Sequence, residues 1–271
     1  MRILRFEAGE AREALDELAT EEPLEIRLRA GGRTVTVAVT MRTPGHDFEL
    51  AAGFLYSEGV VGSRDEMRGI SYCIDPAVDA LQRYNIVNVD LFGDAPPALE
   101  RLERHFTINS SCGVCGKASI ESLQTRAEPL SADERLRVPM TTIGALPERM
   151  RAAQRIFSST GGLHASALFD ERGELLVLRE DVGRHNALDK IAGHCLLEGL
   201  LPLHRRIVFV SGRASYELVQ KCVVARIPIL CAVSAPSSLA VDLAKEFGVT
   251  LCGFVRGTRA NVYSFPERIS S

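Results

Sequence analysis

Residues 207–255, IVFVSGRASYELVQKCVVARIPILCAVSAPSSLAVDLAKEFGVTLCGFV, decide the fold class of this chain. Short apolar runs with the composition of buried strands alternate in this stretch with segments of helical periodicity. The predicted strands are 207–210, 229–233 and 249–255, and the predicted helices are 216–226 and 239–247. Such alternation indicates a parallel sheet with helices on its faces. We therefore predict an α/β structure for the C-terminal part of the chain.

The same pattern extends upstream to Gly161. Asp170-Glu-Arg-Gly173 has the composition of a turn and joins two further predicted strands. Residues 124–142 are polar with two prolines, and we interpret them as a connector. The additional predicted elements are strands 163–169 and 174–178 and helices 147–157 and 186–198.

The N-terminal part of the chain has β-rich signals. Apolar residues alternate with charged residues at 24–29, and valine alternates with Thr or Ala at 34–39. Gly31-Gly32 lies between the two runs, which predicts a β-hairpin. The remaining signals are a helix between Thr43-Pro44 and Gly59 and strands at 69–74 and 85–92. We divide the chain into a β-rich N-terminal part, 1–106, a cysteine loop with connector, 107–146, and an α/β domain, 147–271.

Composition excludes several classes of protein. With 271 residues, 46% of them apolar, the chain can bury a large core, and it has no run of about eighteen apolar residues that would span a membrane. Its start, Met1-Arg-Ile-Leu-Arg5, lacks the apolar core of a secretory signal. The odd number of cysteines, seven, argues against a disulfide framework. We therefore expect a cytoplasmic protein in a reducing compartment.

Charge is unevenly distributed along the chain. The net charge is −3, but residues 201–271 carry nine Lys or Arg against four Asp or Glu, so this portion is basic and the remainder is acidic. A basic portion suits an anionic small ligand, although scattered surface arginines explain the same excess. Nucleic acid is disfavoured as a partner, because the chain has no dense basic run and few aromatic residues for base stacking.

The carboxyl ends of the predicted C-terminal strands are rich in Gly, Ser and Arg. Ligands of such sheets collect at these ends, and arginines near helix N-termini suit phosphate groups. Strand–helix turns are commonly rich in Gly and Ser, which accounts for any single turn. Arginine in three of the four turns shifts the interpretation toward an anion site: the turns are 179–185, 211–215, 234–237 and 256–259.

A cysteine pair lies in Thr107-Ile-Asn-Ser-Ser-Cys-Gly-Val-Cys-Gly-Lys-Ala-Ser119, near the middle of the chain. The neighbouring glycines let the backbone bend tightly around Cys112 and Cys115, and Lys117 favours a thiolate. The stretch has too little apolar bulk for a core segment. We interpret it as an exposed, mobile loop that carries sulfur chemistry.

Several interpretations of Cys112 and Cys115 differ in what else they require. A zinc site needs two further ligands, and the chain has no second Cys-x-x-Cys and no His-x-x-x-His, so zinc is disfavoured. A thioredoxin-type dithiol lies between a strand and a helix, which the surroundings of Cys112 do not show. A nucleophilic Cys112 that carries a group, tuned or resolved by Cys115, fits the loop. A pair without any role stays a further interpretation.

Two histidines lie at the starts of predicted elements. His185 follows Gly183-Arg184 at a predicted helix start, and His164 follows Gly161-Gly162 at the entry to a strand. Either side chain could line a site or make a structural hydrogen bond, and the sequence leaves both interpretations open. We predict no metal ligands.

Several runs of this sequence resemble one known family. The run Ser110-Ser-Cys-Gly-Val-Cys-Gly-Lys117 closely resembles the signature of the formate dehydrogenase accessory sulfurtransferase family. As a set the matching runs are highly specific, and they span the chain from Pro23 to Tyr263. The other runs are TPGHDFELAAGF at 43–54, GGLH at 161–164, REDVGRHNA at 179–187, SAPS at 234–237 and GFVR at 253–256.

The resemblance implies a sulfur shuttle. Members of this family take sulfane sulfur from a cysteine desulfurase as a cysteine persulfide. They hand it to the molybdenum bis-guanine-dinucleotide cofactor, which is then inserted into formate dehydrogenase. The persulfide-bearing cysteine of the family falls on Cys112, and its companion falls on Cys115. Members form homodimers, and the implied fold is a cytidine-deaminase-like three-layer C-terminal domain with a smaller β-rich N-terminal part.

The family segment associated with the cofactor falls on Phe254-Val255-Arg256-Gly257-Thr258-Arg259, which has the groups that a guanine dinucleotide needs. Its two arginines can fork onto phosphate oxygens, Gly257 permits close backbone approach, and Phe254 offers an aromatic face. We predict that GDP or GMP binds here as a mimic of the cofactor, more tightly than adenine nucleotides. Two arginines at neighbouring strand ends extend the positive patch: Arg184 and Arg213.

The deaminase likeness does not bring deaminase activity. A deaminase needs His or Cys with Glu at one helix start and Pro-Cys-x-x-Cys at the next. The corresponding places read Arg184-His-Asn-Ala187 and Ser211-Gly-Arg-Ala-Ser215, without the glutamate and without the two cysteines. The alternative to a sulfurtransferase is a non-catalytic chaperone that binds the molybdenum cofactor, with Cys112 only guarding or ligating the metal.

Overall fold

Strands dominate the N-terminal part of the protein. The computed structural model describes residues 1–80, 82–93, 127–130 and 136–271. The N-terminal elements are β1 (Arg2–Glu7), β2 (Glu10–Leu15), β3 (Glu22–Ala30), β4 (Arg33–Arg42), α1 (Asp47–Ser57), β5 (Met67–Tyr72) and β6 (Ile86–Leu91).

Four of these strands form one sheet in the order β4-β3-β6-β5, in which β3 is parallel to β6 and the other neighbours are antiparallel. Leu24, Ile26 and Leu28 alternate with polar residues along β3, so one face of the sheet is apolar and packs against α1. The predicted hairpin at Gly31-Gly32 is confirmed, and both glycines have the positive φ that its turn requires. β1 and β2 form a separate hairpin that the sequence did not predict.

The C-terminal part alternates strands with helices. None of the helices in the described ranges is long and apolar enough to cross a membrane. The elements are β7 (Val138–Pro139), α2 (Met140–Ala153), α3 (Ile156–Thr160), β8 (His164–Phe169), β9 (Leu175–Asp181), α4 (Arg184–Leu197), β10 (Ile207–Val210), α5 (Tyr216–Val224), β11 (Ile229–Ala232), α6 (Ser238–Phe247), β12 (Thr250–Arg256), β13 (Arg259–Ser264) and β14 (Ile269–Ser270).

Six of these strands form a mixed sheet in the order β13-β12-β11-β10-β8-β9. β10, β11 and β12 are parallel, as the alternating pattern predicts. The prediction of a parallel sheet is wrong for β8 and β9, which are antiparallel to their neighbours. The sequence did not predict β13, which is antiparallel to β12. Short turns connect β8 to β9 and β12 to β13, and a short turn joins only antiparallel strands.

Helices cover both faces of this sheet and give three layers. α4, α5 and α6 pack on one face, and α2 packs on the other through Ile143, Leu146 and Met150. The mixed α/β architecture predicted for the C-terminal part is therefore confirmed. The five cysteines outside the cysteine loop are buried and free: Cys73, Cys195, Cys222, Cys231 and Cys252.

The helix that precedes the sheet begins earlier than predicted. α2 starts at Met140 and contains Pro147, whereas the sequence predicted a connector to residue 142 and a helix from 147 to 157. Buried side chains at helical spacing continue on both sides of Pro147, and this packing outweighs the low helix propensity of proline. α2 therefore crosses the position at which we divided connector from domain, and the division itself stays a prediction.

Helices α1 and α4 touch through their backbones where the N-terminal part meets the C-terminal sheet. A Cβ atom on Gly53 would lie 1.8 Å from the carbonyl oxygen of Asp189. A Cβ atom on Gly193 would lie 1.8 Å from the carbonyl oxygen of Glu49. Only glycine fits at either position, so these two residues set the separation of the helices.

Paired charges complete this contact, and we call the α1–α4 contact with its flanking ion pairs the junction. Lys190 Nζ lies 2.7 Å from Asp181 Oδ2, and both side chains are almost fully buried. Lys190 also donates to the carbonyl oxygen of Thr43 at 2.9 Å. Arg179 donates two hydrogen bonds to Glu49, at 2.5 and 2.7 Å. Each buried charge at the junction thus has a partner within the chain, which offsets its desolvation.

Candidate functional site

The ends of several strands meet at one margin of the C-terminal sheet, which we call the carboxyl edge. β10, β11 and β12 are parallel, so their carboxyl ends lie side by side. β9 ends there too, because its last residue, Asp181, pairs with His164 at the start of β8. The carboxyl edge comprises residues 181–185, 211–215, 234–237 and 254–259.

Backbone hydrogen bonds tie the segments of the carboxyl edge together. The N–H of Ala214 donates to the carbonyl oxygen of Ala235 at 3.2 Å, and the N–H of Ser237 donates back to Ala214 at 3.0 Å. The N–H of Phe254 donates to the carbonyl oxygen of Ser234 at 3.2 Å. The three turns after β10, β11 and β12 therefore form one connected surface.

Three helices begin at the carboxyl edge. Their N-caps are Gly183 for α4, Ser215 for α5 and Ser237 for α6. Ser237 Oγ accepts a hydrogen bond from the N–H of Ala240 at 3.2 Å. The free N–H groups of a helix start carry partial positive charge. Three such starts at one edge favour an anionic ligand there.

The arginines of the carboxyl edge make no ion pairs in the part of the chain that the structure describes. None of the four makes an ion pair or a side-chain hydrogen bond with a described residue, and Arg184 Nε is a buried donor without an acceptor. The pattern contrasts with the paired charges of the junction. Unpaired guanidinium groups in one region are available to bind carboxylate or phosphate. The four are Arg184, Arg213, Arg256 and Arg259.

The turn predicted to bind the cofactor contains a strained aromatic residue. Phe254 has φ +53°, a backbone conformation that residues other than glycine rarely adopt, and the residue is 42% exposed. The β12–β13 register shifts between Gly253 and Arg256, so the strand bulges at Phe254. The bulge presents the ring to solvent. Val255, by contrast, is fully buried against the α2 side of the sheet, so its side chain cannot contact a ligand.

Gly144 of α2 packs closely against the backbone of this turn. A Cβ atom on Gly144 would lie 1.8 Å from the carbonyl oxygen of Gly257, which lies between the two arginines of the turn. Gly144 therefore sets how closely α2 approaches the turn. The sequence does not predict this role of Gly144, because position 144 falls in the predicted connecting segment and no local signal relates it to Gly257.

A histidine, a serine and a glutamate form a polar cluster at the starts of α4 and α5. His185 Nε2 lies 3.2 Å from Ser215 Oγ and 3.6 Å from Glu217 Oε2. The sequence left open whether His185 lines the site or makes a structural hydrogen bond. In the structure it does both, because its side chain remains 35% exposed at the carboxyl edge while it contacts Ser215.

The electrostatic surroundings keep His185 neutral. Burial, followed by the positive charges of Lys221 and Arg184, lowers the pKa of His185 from 6.5 to about 4. Burial and Arg184 also lower the pKa of His164. Burial alone would raise the pKa of Glu217, but hydrogen bonds from its own N–H and from Ser215 outweigh burial and lower it. At neutral pH this cluster therefore offers uncharged imidazoles beside a carboxylate.

The cysteine pair lies outside the described residues. Cys112 and Cys115 belong to this undescribed part of the chain, so their roles stay predictions. Burial raises the pKa of Cys195 to about 11 and raises the pKa of Cys222 further, which makes these core thiols unreactive. Within the described ranges, no group of three or more His, Cys, Asp or Glu has the arrangement of a metal site.

Comparison with known proteins bears on the resemblance found in the sequence. The sequence pattern of the FdhD/NarQ family matches residues 19–270. The chain belongs to the FdhD/NarQ family. The family assignment made from the sequence runs is thereby confirmed. The match includes both the cysteine pair and the carboxyl edge.

Members of the FdhD/NarQ family with curated names resemble this chain over nearly its full length. A protein of Streptomyces avermitilis named sulfur carrier protein FdhD is 52% identical over 270 residues, which cover 99% of this chain and 94% of the relative. A protein of the same name from Saccharolobus solfataricus is 44% identical over 267 residues, covering 98% and 96% of the two chains.

A solved structure has the same fold. The crystal structure of a candidate formate dehydrogenase accessory protein from Desulfotalea psychrophila matches this FdhD/NarQ chain with a TM-score of 0.75 and 28% sequence identity. The match covers 100% of this chain and 98% of the other.

Proposed function

We propose that this chain is a sulfurtransferase that carries sulfur as a persulfide on Cys112. It takes the sulfur from a cysteine desulfurase and delivers it to the molybdenum bis-guanine-dinucleotide cofactor that formate dehydrogenase requires. One observation carries the proposal: the chain is similar over 99% of its length to relatives named sulfur carrier protein, and it contains the Cys112-Gly-Val-Cys115 pair.

The proposed chemistry is two exchanges at a sulfane sulfur. In the first, the Cys112 thiolate attacks the terminal sulfur of the desulfurase persulfide; a new S–S bond forms, and the desulfurase cysteine leaves as a thiolate. In the second, a nucleophile on the acceptor attacks the terminal sulfur, and the Cys112 thiolate leaves. A stabilised thiolate is the better leaving group, and Lys117 supplies a positive charge close in sequence. Cys115 tunes or resolves the persulfide.

The carboxyl edge supports an anionic acceptor. The molybdenum cofactor enters this proposal as the substrate, and its guanine dinucleotide arms carry pyrophosphates. Arg256 and Arg259 have no protein partners among the described residues and can fork onto phosphate oxygens. Phe254 presents a ring for a purine, and Gly257 keeps the backbone open between the arginines. We place the cofactor at this edge, with residues 254–259 as its main contact.

Other features of the proposal follow from the family resemblance. We propose that the protein acts in the cytoplasm as a homodimer, with formate dehydrogenase as the recipient of the sulfurated cofactor. We also propose that the three-layer C-terminal part is related to the cytidine deaminase fold. In that comparison His185 and Ser215 occupy the two helix starts that carry zinc ligands in deaminases.

Sulfur loading tests the proposal directly. The protein is incubated with a cysteine desulfurase and cysteine, and its intact mass is measured before and after reduction. We expect a reducible gain of one sulfur atom in the parent protein and none in Cys112→Ala. Cys222→Ala is the control, because its buried thiol should not take part. If Cys112→Ala accepts sulfur at the parent rate, the assignment of Cys112 is wrong.

A non-catalytic cofactor chaperone is the second candidate. The unpaired arginines of the carboxyl edge favour it as much as they favour a sulfurtransferase, because binding alone would use them. The loading experiment separates the two functions. A parent protein that gains no sulfur but still binds GDP at residues 254–259 would be a chaperone.

A further inference from the structure

The N-terminal sheet has an open cavity of about 300 Å³ at the turn between β3 and β4. The cavity shares no residue with the carboxyl edge, and the proposed function makes no use of it. Strands β3, β4, β5 and β6 all contribute to its lining. This volume falls at the small end of the range for ligand sites in proteins.

Three arginines from different strands line the cavity. Arg29 lies on β3, Arg33 begins β4, and Arg68 lies on β5. Among the described residues of the lining, Asp90 is the only acidic one. The lining therefore carries a formal charge of +2, and it faces solvent in the part of the chain that the structure describes. An excess of guanidinium groups around a concave surface attracts anions.

Two of these arginines are held in place by neighbours. Arg29 donates from Nε and Nη2 to the two carboxylate oxygens of Asp90, both at 2.7 Å, and this leaves its Nη1 as an unused donor. The guanidinium of Arg68 lies 5.3 Å from the centre of the Phe92 ring, within cation–π range. Groups that are already ordered lose less entropy when a ligand binds.

The remaining lining is small and polar. Gly31 and Gly32 form the turn with φ of +54° and +74°, and nothing lies within 4 Å of a Cβ position on Gly32. Thr34 adds an exposed hydroxyl group, whereas Leu91 is buried and gives the cavity little apolar surface. A ligand of this cavity would therefore be compact and charged, without an apolar body to bury.

We propose that this cavity is a second anion site, which binds a small oxyanion with at least two negative charges. Inorganic phosphate, pyrophosphate and the terminal phosphate of a larger molecule share the required chemistry. Tetrahedral oxyanions accept from guanidinium forks in two directions at once, and Arg29, Arg33 and Arg68 approach the cavity from three strands. An extended acidic peptide fits less well, because the cavity is concave and offers no apolar pockets for flanking side chains.

Titration calorimetry with pyrophosphate tests the proposal. Because the carboxyl edge should also bind pyrophosphate, the experiment starts from Arg256→Ala/Arg259→Ala, in which that site is disabled. We expect one remaining pyrophosphate site per chain in this background. Adding Arg33→Gln and Arg68→Gln should weaken it by at least about tenfold, the loss expected for one charge-assisted hydrogen bond. Arg29 is left unchanged, because its removal would leave Asp90 without a partner.

A charge-matched control separates a site from a general charge effect. Adding Arg155→Gln and Arg172→Gln to the same background removes two exposed arginines elsewhere and should leave pyrophosphate affinity unchanged. GDP tests whether the site also accepts the terminal phosphate of a larger molecule. In the same Arg256→Ala/Arg259→Ala background, GDP should compete with pyrophosphate. The proposal is wrong if the Arg256→Ala/Arg259→Ala protein binds no pyrophosphate, or if the control substitutions weaken pyrophosphate binding as much as Arg33→Gln and Arg68→Gln do. It is also wrong if hexaglutamate, an acidic peptide, binds at Arg33 and Arg68 and pyrophosphate does not. None of these outcomes bears on sulfur loading at Cys112.

Discussion

At the junction, Lys190 and Asp181 are buried together at 2.7 Å, and Arg179 holds Glu49 through two hydrogen bonds. At the carboxyl edge, Arg256 and Arg259 have no partner among the described residues. The two regions use the same kinds of side chain with opposite outcomes. Buried charges without partners cost several kcal/mol, so the junction must complete its pairs within the chain. The exposed arginines of the edge carry no such cost and remain available for a ligand.

The sequence runs that resemble the family differ in the same way, because some build the junction and others build the carboxyl edge. TPGHDFELAAGF at 43–54 and REDVGRHNA at 179–187 contain Glu49, Gly53, Arg179 and Asp181, which build the junction. The runs at 234–237 and 253–256 lie at the carboxyl edge, and 179–187 also contributes Arg184 and His185 to that edge. A specific run of residues therefore marks packing in one place and a ligand surface in another. Packing at the junction and a ligand surface at the carboxyl edge are distinguished only by whether the charged side chains form ion pairs within the chain.

The largest expected effect is on the junction. Lys190→Met leaves the fully buried carboxylate of Asp181 without its counter-charge, which should lower the free energy of unfolding by about 3–5 kcal/mol. Chemical denaturation followed by circular dichroism measures the change. Arg256→Ala at the edge is the control and should change stability by less than about 0.5 kcal/mol. If both substitutions lowered the free energy of unfolding equally, the junction and the carboxyl edge would not differ in their need for ion pairs.

A smaller effect is expected from the helix contact within the junction. In Gly193→Ala the new methyl group would lie 1.8 Å from the carbonyl oxygen of Glu49, so α1 and α4 must separate. Overpacking of this kind should cost about 1–3 kcal/mol, again measured by denaturation. Gly69→Ala is a matched control, because a Cβ atom there meets nothing within 4 Å and its φ is not positive. A stable Gly193→Ala protein would show that the backbone contact does not set the junction.

The smallest effect on stability is expected from protonation of His185 as pH falls. The folded pKa of His185, about 4, lies below its ordinary value of 6.5, so the unfolded chain binds the proton first as pH falls. The contribution of His185 to stability is therefore present above pH 6.5 and is lost as pH falls toward 4. His185→Asn should flatten the fall in stability over this range. Denaturation midpoints at pH 7, 6, 5 and 4 test this, and identical slopes for parent and variant would contradict it.

The strands of the C-terminal sheet were predictable because their signals are local. The runs 207–210, 229–233 and 249–255 correspond to β10, β11 and β12 within one residue at each end. The turn at 170–173 likewise predicted two strands in succession, β8 and β9, although the predicted parallel sheet gave them the wrong direction. The candidate site at the carboxyl ends of these strands was predictable because ligands of parallel sheets bind at the carboxyl ends of the strands.

Contacts between distant segments were not predictable from the sequence. Gly53 and Gly193 carry no local sign that they touch opposite helices, and Gly144 lay in a presumed connecting segment although it supports Gly257. The start of α2 was missed because Pro147 suggested a helix start and packing on the sheet overrode that signal. The unpaired state of the edge arginines also required the positions of the acidic residues around them.

The measurement that tests this account most directly is GDP binding by titration calorimetry. We expect the parent protein to bind GDP more tightly than ADP, with an affinity that falls as salt is added. Arg256→Ala/Arg259→Ala should weaken GDP binding at least about a hundredfold, because two charge-assisted contacts are lost and only weak binding of the GDP phosphates at the N-terminal cavity remains. The unfolding free energy of the double variant should stay within about 0.5 kcal/mol of the parent. If the double variant binds GDP as the parent does, the carboxyl edge is not the cofactor site.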